Sequence, residues 1–419
     1  MTTNGSAEGH HTDVTIIGAG IIGLATARTL LKRYPTLRLT VLDKEPAIAQ
    51  HQTGRNSGVL HSGIYYTPGS LKARMCVQGK ADLIQYCEER GIPYNLCGKV
   101  IVATEEAEIP RLEEIYRRGI ANGVPGVEMI GPERLHEIEP HATGIKAIYS
   151  PQTGIIDYEQ VTEAYAEEVQ TAGGTILTNC GVTSIDRQTT EVRVQTTTGS
   201  FTTRFLIGCA GVYADRVAAM SGAPREPRIV PFRGDYYVLK PERQHLIRAL
   251  IYPVPDPEFP FLGVHSTLRM DGSMWLGPNA VLAFGREGYK RWDINPQDLW
   301  EAMSYRGFQS LALKYWRTGL DEMIRDFSKD LFVKAAQRFV PEIRSEDVVE
   351  GPSGIRAQAL APDGSLVDDF VFNQDDRIIH VRNAPSPAAT SSLAIGDSIA
   401  DTAAQNFELD TQYRTMAVS

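Results

Sequence analysis

Cysteine is scarce in this sequence of 419 residues. The five that occur are Cys76, Cys87, Cys97, Cys180 and Cys209. Their number is odd, and their spacing fits neither a disulfide framework nor a zinc site. We therefore predict unpaired thiols, a reducing compartment and no metal site.

Long apolar runs and an excess of positive charge are also missing. No uncharged apolar stretch approaches the ~18 residues that a membrane-spanning helix needs. The 42 Lys and Arg stand against 51 Asp and Glu, a net charge of −9, which argues against nucleic-acid binding. The small, polar first twelve residues lack the features of a secretion or import signal. We predict a disordered tail over residues 1–12 and a cytoplasmic location.

A glycine cluster follows the first apolar run, which starts near Asp13. The order of apolar run, glycines, helical pattern and second apolar run predicts a βαβ unit. Gly18 would allow the tight turn, Gly20 the close approach of a pyrophosphate, and Gly23 the packing of helix on strand. Asp43, about 20 residues further on, would bind the ribose hydroxyls. The pattern predicts a dinucleotide site, and a glycine turn that serves only packing is the alternative.

The polar segment 52–72 bears on the choice between FAD and NAD. It has no period of helix or strand, and it is rich in Gly, Ser, Asn and His. A long loop at this place is typical of flavoproteins. Its residues Arg55, Asn56, Ser57 and Gly58 would contact the cofactor or only scaffold the loop.

Four stretches carry a resemblance to a known family: RNSGVLHSGIYYTPGSLKA, VPFRGDYYVLKPE, GIRAQA and HVRNAPSPAATSS. With most of the chain from Asp13 to about Leu409, they resemble the L-2-hydroxyglutarate dehydrogenase/oxidase family, which consists of FAD-dependent oxidoreductases of the D-amino-acid oxidase type. The resemblance implies FAD, a small dicarboxylate substrate, and a quinone or oxygen as electron acceptor. With a quinone, any membrane contact would be peripheral, on the inner membrane.

The expected fold is α/β, with a discontinuous Rossmann-like FAD-binding domain and an inserted antiparallel-sheet α+β substrate domain. Residues 13–95, 150–225 and 351–419 are predicted to form the first domain, and residues 96–149 and 226–350 the second. The composition shift to Pro, Tyr, Trp and Arg after residue 225 supports this division.

Two histidines in glycine-flanked contexts, His61 and His265, are candidate bases for the substrate hydroxyl. The residues leave open which of them acts, and a structural role is the alternative for each. Arg356 would bind the α-carboxylate or form a salt bridge between domains. Candidates for the second carboxylate are Lys99, Tyr66 and Arg286, while Arg233 would bind substrate or pair with Asp235.

Further cofactor contacts are expected where the chain returns to the first domain. The segment 383–392 resembles the loop that enters a helix beside the flavin pyrimidine, where backbone amides would stabilise negative charge. A plain capped helix is the alternative. The remaining predicted contacts are Lys44, Val182, Ala210, Gly211, Gly354, Ser386, Pro387, Ala388, Ala389 and Thr390.

The sequence thus predicts the oxidation of L-2-hydroxyglutarate to 2-oxoglutarate, with a histidine as the base and hydride transfer to flavin N5. Oxidation of another small anion, such as glycerol 3-phosphate or an amino acid, is the first alternative. A non-catalytic, dinucleotide-binding redox sensor is the second.

Overall fold

The computed structural model describes residues 7–256 and 263–413, except for the side chains of residues 7–10, 318 and 321. The strands in chain order are β1 (Ala7–Ile17), β2 (Leu39–Leu42), β3 (Val59–Leu60), β4 (Tyr94–Asn95), β5 (Lys99–Ala103), β6 (Glu128–Ile130), β7 (Lys146–Ser150), β8 (Gly154–Ile156), β9 (Thr175–Leu177), β10 (Val182–Arg187), β11 (Val192–Thr196), β12 (Gly199–Gly208), β13 (Arg228–Leu239), β14 (Leu250–Pro253), β15 (His265–Leu268), β16 (Met274–Gly277), β17 (Val281–Leu282), β18 (Val348–Leu360), β19 (Val371–Gln374) and β20 (Ile378–Asn383).

The α-helices are α1 (Ile21–Arg33), α2 (Leu71–Arg90), α3 (Ile109–Ala121), α4 (Pro132–Ile138), α5 (Tyr158–Thr171), α6 (Ala214–Met220), α7 (Pro296–Met303), α8 (Arg306–Lys314), α9 (Trp316–Phe327), α10 (Lys329–Gln337), α11 (Ser392–Asn406) and α12 (Leu409–Tyr413). The segment from Pro296 to Gln337 forms four short helices, α7 to α10.

The first sheet has a parallel centre. Its order is β10-β11-β12-β1-β2-β9, and β20 pairs with β12 and β19. β1, β2, β9, β12 and β20 run parallel along their shared edges. The crossover helix α1 buries Leu24, Ala27 and Leu31, the helix face that the apolar spacing predicts. This arrangement confirms the Rossmann-like part of the predicted fold class.

The predicted start of this sheet needs a correction. β1 begins at Ala7 and not at Asp13, because its first residues pair in parallel with the start of β12 at Gly199. The long partner strand satisfies backbone groups that a free tail would expose to water. Residues 7–12 are therefore not a disordered tail, and residues 1–6 lie outside the described residues.

The second sheet has nine strands, in the order β17-β13-β16-β15-β14-β5-β7-β6, with β18 beside β13. All its pairs are antiparallel except β14 with β5. β18 pairs with β13 from Val348 to Leu360, and so this sheet extends past the predicted domain boundary at residue 350. A small sheet of β3, β8 and β4 lies apart from both larger sheets.

Candidate active site

A cavity of about 510 Å³ opens at the carboxyl ends of the parallel strands. Ligands of open α/β sheets bind at this edge because the loops there leave a crevice. Ten of the predicted cofactor residues line the cavity: Gly18, Gly20, Gly23, Asp43, Lys44, Val182, Ala210, Gly211, Ala388 and Ala389.

The glycines at the cavity allow two backbone approaches that a side chain would block. A Cβ on Gly18, whose φ is +107°, would lie 2.3 Å from the carbonyl oxygen of Cys209. A Cβ on Gly23 would lie 2.0 Å from the carbonyl oxygen of Gly18. The N-cap residue of α1 is Gly20, which has no side chain to cap the helix. The helix N-terminus therefore faces the cavity with backbone amides and a positive dipole end, which suits a diphosphate.

Asp43 follows β2 and is held rigidly at the cavity wall. Its Oδ2 accepts a hydrogen bond from the Ala19 amide at 2.7 Å, and its Oδ1 accepts one from the Glu45 amide at 2.9 Å. Each oxygen keeps a further lone pair, so the carboxylate can accept hydrogen bonds from ribose hydroxyls. The glycines, the helix end and this carboxylate together fit the ADP part of FAD.

Eight predicted cofactor residues lie outside the cavity wall: Arg55, Asn56, Ser57, Gly58, Gly354, Ser386, Pro387 and Thr390. Several have structural contacts of their own. The Arg55 guanidinium lies 4.2 Å above the Tyr289 ring. The Asn56 Oδ1 accepts a hydrogen bond from the Gly58 amide at 2.7 Å. A Cβ on Gly354 would lie 2.4 Å from the Arg55 carbonyl oxygen. Cofactor contact by Arg55, Asn56, Ser57 and Gly58 stays a prediction.

Thr390 connects the cavity to the first candidate base. Its Oγ1 accepts a hydrogen bond from the His61 amide at 3.2 Å and shares another with the Tyr158 hydroxyl at 2.7 Å. Ala388 and Ala389, just before it, line the cavity. The backbone of His61, which follows β3, is therefore linked to the segment that lines the cavity just before α11.

Four of the predicted residues come from separate parts of the chain, and each interacts electrostatically with at least one of the others. We call them the histidine cluster: His61, His265, Lys99 and Arg356. Lys99 and His265 begin β5 and β15, and Arg356 lies on β18 opposite Phe232. Burial, together with the nearby charges of Lys99 and His265, lowers the pKa of His61 to about 3. The imidazole is therefore neutral near pH 7, and one ring nitrogen carries a free lone pair.

His265 is held in one orientation. Its Nδ1 donates a hydrogen bond to the Gly263 carbonyl oxygen at 2.8 Å, because that oxygen can only accept. Its ring packs 4.0 Å from the Tyr252 ring, measured between centroids. Burial lowers the pKa of His265 to about 3, with Arg356 and Lys99 adding to the effect. The neutral ring therefore presents Nε2 as a hydrogen-bond acceptor.

Lys99 is the most unusual residue of the cluster. Its side chain is only 1 % exposed, and within the part of the chain that the structure describes its Nζ has no hydrogen-bonding partner. The ammonium lies 4.6 Å and 4.8 Å from the centroids of the Tyr65 and Tyr252 rings. Burial lowers its pKa to about 7. A buried ammonium without an anion is costly, and a bound carboxylate would offset that cost.

Arg233 and Arg286 are not in this cluster, although the sequence proposes both as substrate ligands. Arg233 binds Asp235 at 2.9 Å and Asp326 at 3.1 Å. Arg286 forms a two-pronged pair with Asp215, at 2.5 Å and 2.9 Å. Both guanidinium groups are buried and already neutralised by carboxylates. We therefore do not retain them as substrate ligands.

Tyr66 packs against Lys72. The Lys72 ammonium is 5.1 Å from its ring centroid, and Lys72 pairs with Asp368 at 2.9 Å. Burial raises the pKa of Tyr66 well above its usual value, so the phenol stays a hydrogen-bond donor. Sequence reasoning missed Tyr65 and Tyr252, whose rings enclose Lys99. Tyrosines in apolar runs carry no signal that separates such a role from core packing.

Comparison with known proteins gives a consistent result. The family model described as FAD dependent oxidoreductase matches residues 13–402. The chain is 53 % identical to the mitochondrial L-2-hydroxyglutarate dehydrogenase of Nematostella vectensis, covering 95 % of this chain and 92 % of that one. It is 49 % identical to the L-2-hydroxyglutarate dehydrogenase of Indibacter alkaliphilus, covering 94 % and 99 %.

A solved structure resembles the whole architecture. The FAD-bound, dithionite-reduced L-α-glycerophosphate oxidase of Mycoplasma pneumoniae aligns with a TM-score of 0.76 at 25 % identity, over 93 % of each chain. The predicted fold class agrees with this similarity. No helix among the described residues combines the length and the hydropathy needed to cross a membrane.

Proposed function

The chain belongs to the FAD-dependent oxidoreductase family, and we propose that it oxidises L-2-hydroxyglutarate to 2-oxoglutarate. FAD is the cofactor, and when bound it supplies the hydride acceptor that the oxidation of an alcohol requires. The observation that carries the substrate proposal is that the histidine cluster combines two cationic side chains, Lys99 and Arg356, with two neutral imidazoles. A dicarboxylate with one hydroxyl offers a chemical partner to each of them.

The two cations would bind the two carboxylates. Arg356 has the planar fork that matches a carboxylate. Lys99 would take the second carboxylate with its buried ammonium. Both strands that carry these cations belong to the second sheet, which supports its role as the substrate domain.

His61 would accept the hydroxyl proton as the hydride leaves carbon. Its side chain is half-buried, and its backbone amide donates to Thr390, which follows the cavity-lining Ala389. His265 is almost fully buried and fixed, so it would accept a hydrogen bond that orients the substrate. The tyrosine rings around Lys99 would exclude water, which strengthens the electrostatic interactions of the site.

The electrons would leave the reduced enzyme to a quinone or to oxygen. A quinone is dissolved in a bilayer, and a chain that uses it must reach the bilayer surface. Peripheral membrane contact is therefore part of the proposal for the quinone branch.

The test is anaerobic reduction of the purified holoenzyme by each candidate substrate. The loss of flavin absorbance measures the rate of reduction. L-2-hydroxyglutarate should bleach the flavin faster than D-2-hydroxyglutarate, L-lactate or glycerol 3-phosphate. Faster bleaching with any of the other three would overturn the substrate assignment. A protein that stays oxidised with all four would favour the redox-sensor alternative.

A further inference from the structure

A loop from the second sheet contacts the wall of the FAD cavity from outside. We call residues 285–290, which lie between β17 and α7, the clasp loop. Three of its residues each contact one residue that lines the cavity: Arg286 with Val212, Glu287 with Lys44 and Tyr289 with His51. These three wall residues follow strands of the first sheet. The clasp loop therefore joins the second sheet to the cofactor site.

The contact of Glu287 is electrostatic. The Lys44 ammonium touches the carboxylates of both Glu45 and Glu287. The Nε2 atom of His51 lies 2.9 Å from the Glu45 Oε1 atom and 3.4 Å from the Glu287 Oε1 atom. Burial opposes the charge of Lys44, but the two carboxylates raise its pKa above the usual value. The clasp loop thus supplies one of the two carboxylates that hold a charged wall residue.

Tyr289 makes a directed contact with His51. Its hydroxyl oxygen lies 2.6 Å from the Nδ1 atom of His51, and the two rings stack with centroids 6.0 Å apart. Burial raises the pKa of Tyr289, so the phenol keeps its proton and can donate a hydrogen bond to Nδ1. The Nε2 atom then carries the ring proton and donates to a carboxylate, which can only accept. His51 is therefore fixed at both ring nitrogens.

The backbone of the clasp loop is itself held in place. Arg286 forms a buried pair with Asp215, and its backbone amide donates to the Asp298 Oδ2 atom at 2.8 Å. The Ser353 hydroxyl, on β18, donates to the Tyr289 carbonyl oxygen. The loop is therefore anchored to α6, to α7 and to the second sheet, and its acidic and phenolic side chains start from a fixed backbone.

Lys44 and His51 flank the groups that fit the ADP part of FAD. Lys44 follows Asp43, the carboxylate that suits the ribose hydroxyls. His51 lies two residues before Thr53, whose Oγ1 accepts a hydrogen bond from the Ile21 amide at 3.0 Å at the start of α1. That helix N-terminus suits the diphosphate. An outward movement of either wall residue would therefore loosen the site at the ribose or at the diphosphate.

We propose that the clasp loop retains FAD, with Glu287 and Tyr289 holding Lys44 and His51 in place at the ADP part of the cofactor site. Both are positioning residues, because neither is among the residues that line the cavity. Contacts of this kind slow the release of the cofactor, since the wall cannot move outward until they break. The inference requires FAD as the cofactor, but it does not depend on the identity of the substrate.

A divalent cation is the alternative occupant of this cluster. Ligand atoms of Glu45, His51 and Glu287 lie within 4.8 Å of one another, and imidazole nitrogen with carboxylate oxygen is a donor set that binds Zn²⁺. The Lys44 ammonium, however, touches both carboxylates and already supplies the positive charge. A metal ion would have to displace it. Metal binding is therefore an outcome that the experiment must distinguish.

The test is the release of FAD after the holoenzyme is diluted into buffer without FAD. The rise of flavin fluorescence measures the rate. The variant Glu287→Gln/Tyr289→Phe removes one charge and one hydroxyl and nearly keeps the size of both side chains. We expect it to release FAD about tenfold faster than the wild type, or more, because hydrogen bonds with charged groups are lost. The matched control, Glu342→Gln/Tyr94→Phe, removes the same groups from two pairs outside the cavity wall and should release FAD at the wild-type rate.

Two single variants distinguish the ion pair from packing. Glu287→Gln keeps the size of the side chain and loses its charge, whereas Glu287→Asp keeps the charge and shortens the side chain. If Glu287 acts through the ammonium of Lys44, FAD leaves faster from Glu287→Gln than from Glu287→Asp. The reverse order would make Glu287 a packing residue and would overturn the proposal.

Three further results would also overturn it. The first is release at the wild-type rate from Glu287→Gln/Tyr289→Phe, and the second is an equal acceleration in the matched control. The third is faster release from the wild type in the presence of EDTA, because a metal ion and not the Lys44 ammonium would then hold the cluster. Reduction of the flavin by L-2-hydroxyglutarate, measured in parallel, tests the substrate assignment separately, since its failure leaves the release rates unchanged.

Discussion

Two kinds of buried cation occur in this molecule, and they differ in whether an anion accompanies them. Arg286 is paired with Asp215 through two hydrogen bonds and joins the loop after β17 to α6. Lys99 is equally buried, but among the described residues no acceptor reaches its Nζ. The first arrangement is complete without a ligand. We propose that a bound anion completes the second, and that this difference separates a structural cation from a binding one.

The largest effect on stability should come from breaking the ion pair between Arg286 and Asp215. Asp215→Ala leaves the Arg286 guanidinium buried without its carboxylate, which should lower the free energy of unfolding by about 3–5 kcal/mol. Chemical denaturation of the holoenzyme measures this change. The control is Glu137→Ala, which removes an exposed partner 2.6 Å from Arg134 and should lower the free energy of unfolding far less. Equal losses in the two variants would contradict the structural role of the pair.

Removing the charge of Lys99, the buried cation that has no anion among the described residues, should increase the stability of the protein. Lys99→Met keeps the length of the side chain and removes the charge whose pKa burial lowers from 10.5 to about 7. The free energy of unfolding at neutral pH should rise by about 2–4 kcal/mol, since the buried ammonium no longer has to be desolvated. The apparent affinity for L-2-hydroxyglutarate should fall about 100-fold or more. A variant that is less stable, with unchanged affinity, would make Lys99 a structural residue.

Variants of the two histidines test which group of the cluster takes the proton and which one orients the substrate. His61→Ala should slow anaerobic flavin reduction by about 100-fold or more if His61 takes the hydroxyl proton. His265→Ala should mainly raise KM, because it removes an oriented acceptor. Stopped-flow measurement of the reduction rate at saturating substrate distinguishes these effects. An unchanged rate in His61→Ala would move the proton acceptor to His265.

The sequence predicted the parts of the site that depend on local backbone geometry. One continuous chain segment contains Gly18, Gly20, Gly23 and Asp43. The spacing of these residues requires a strand, a turn and a helix. The resemblance to a family supplied the identity of the cofactor, which the comparisons support. The sequence alone did not show that β1 begins at Ala7, because its first pairs form with β12, which starts at residue 199.

The roles of the cationic side chains were harder to predict because they depend on partners that are distant in the sequence. The sequence offers no feature that separates Arg233, Arg286 and Lys99 as candidate substrate ligands. Only the fold brings Asp215 to Arg286 and Asp326 to Arg233, and only the fold leaves Lys99 between two aromatic rings. The hydrogen bond from the Gly58 amide to the Asn56 side chain forms in a turn that the sequence pattern did not indicate.

The smallest expected effect is a pH dependence of substrate affinity that originates at Lys99. An ammonium is charged below its pKa and neutral above it, so the cation that binds the carboxylate is lost as pH rises through about 7. KM for L-2-hydroxyglutarate should therefore rise by up to about tenfold per pH unit above this value. The histidines do not contribute, because burial lowers the pKa of both to about 3.

Burial also lowers the pKa of Lys80 to about 8, and its ammonium donates to the Gln152 carbonyl oxygen. Two variants at Lys99 separate these groups. Lys99→Arg stays charged at every pH and should flatten the profile at low KM, whereas Lys99→Met should flatten it at high KM. If the slope remains in both variants, the titrating group is not Lys99, and the contrast between the paired arginine and the unpaired lysine would have no bearing on substrate binding.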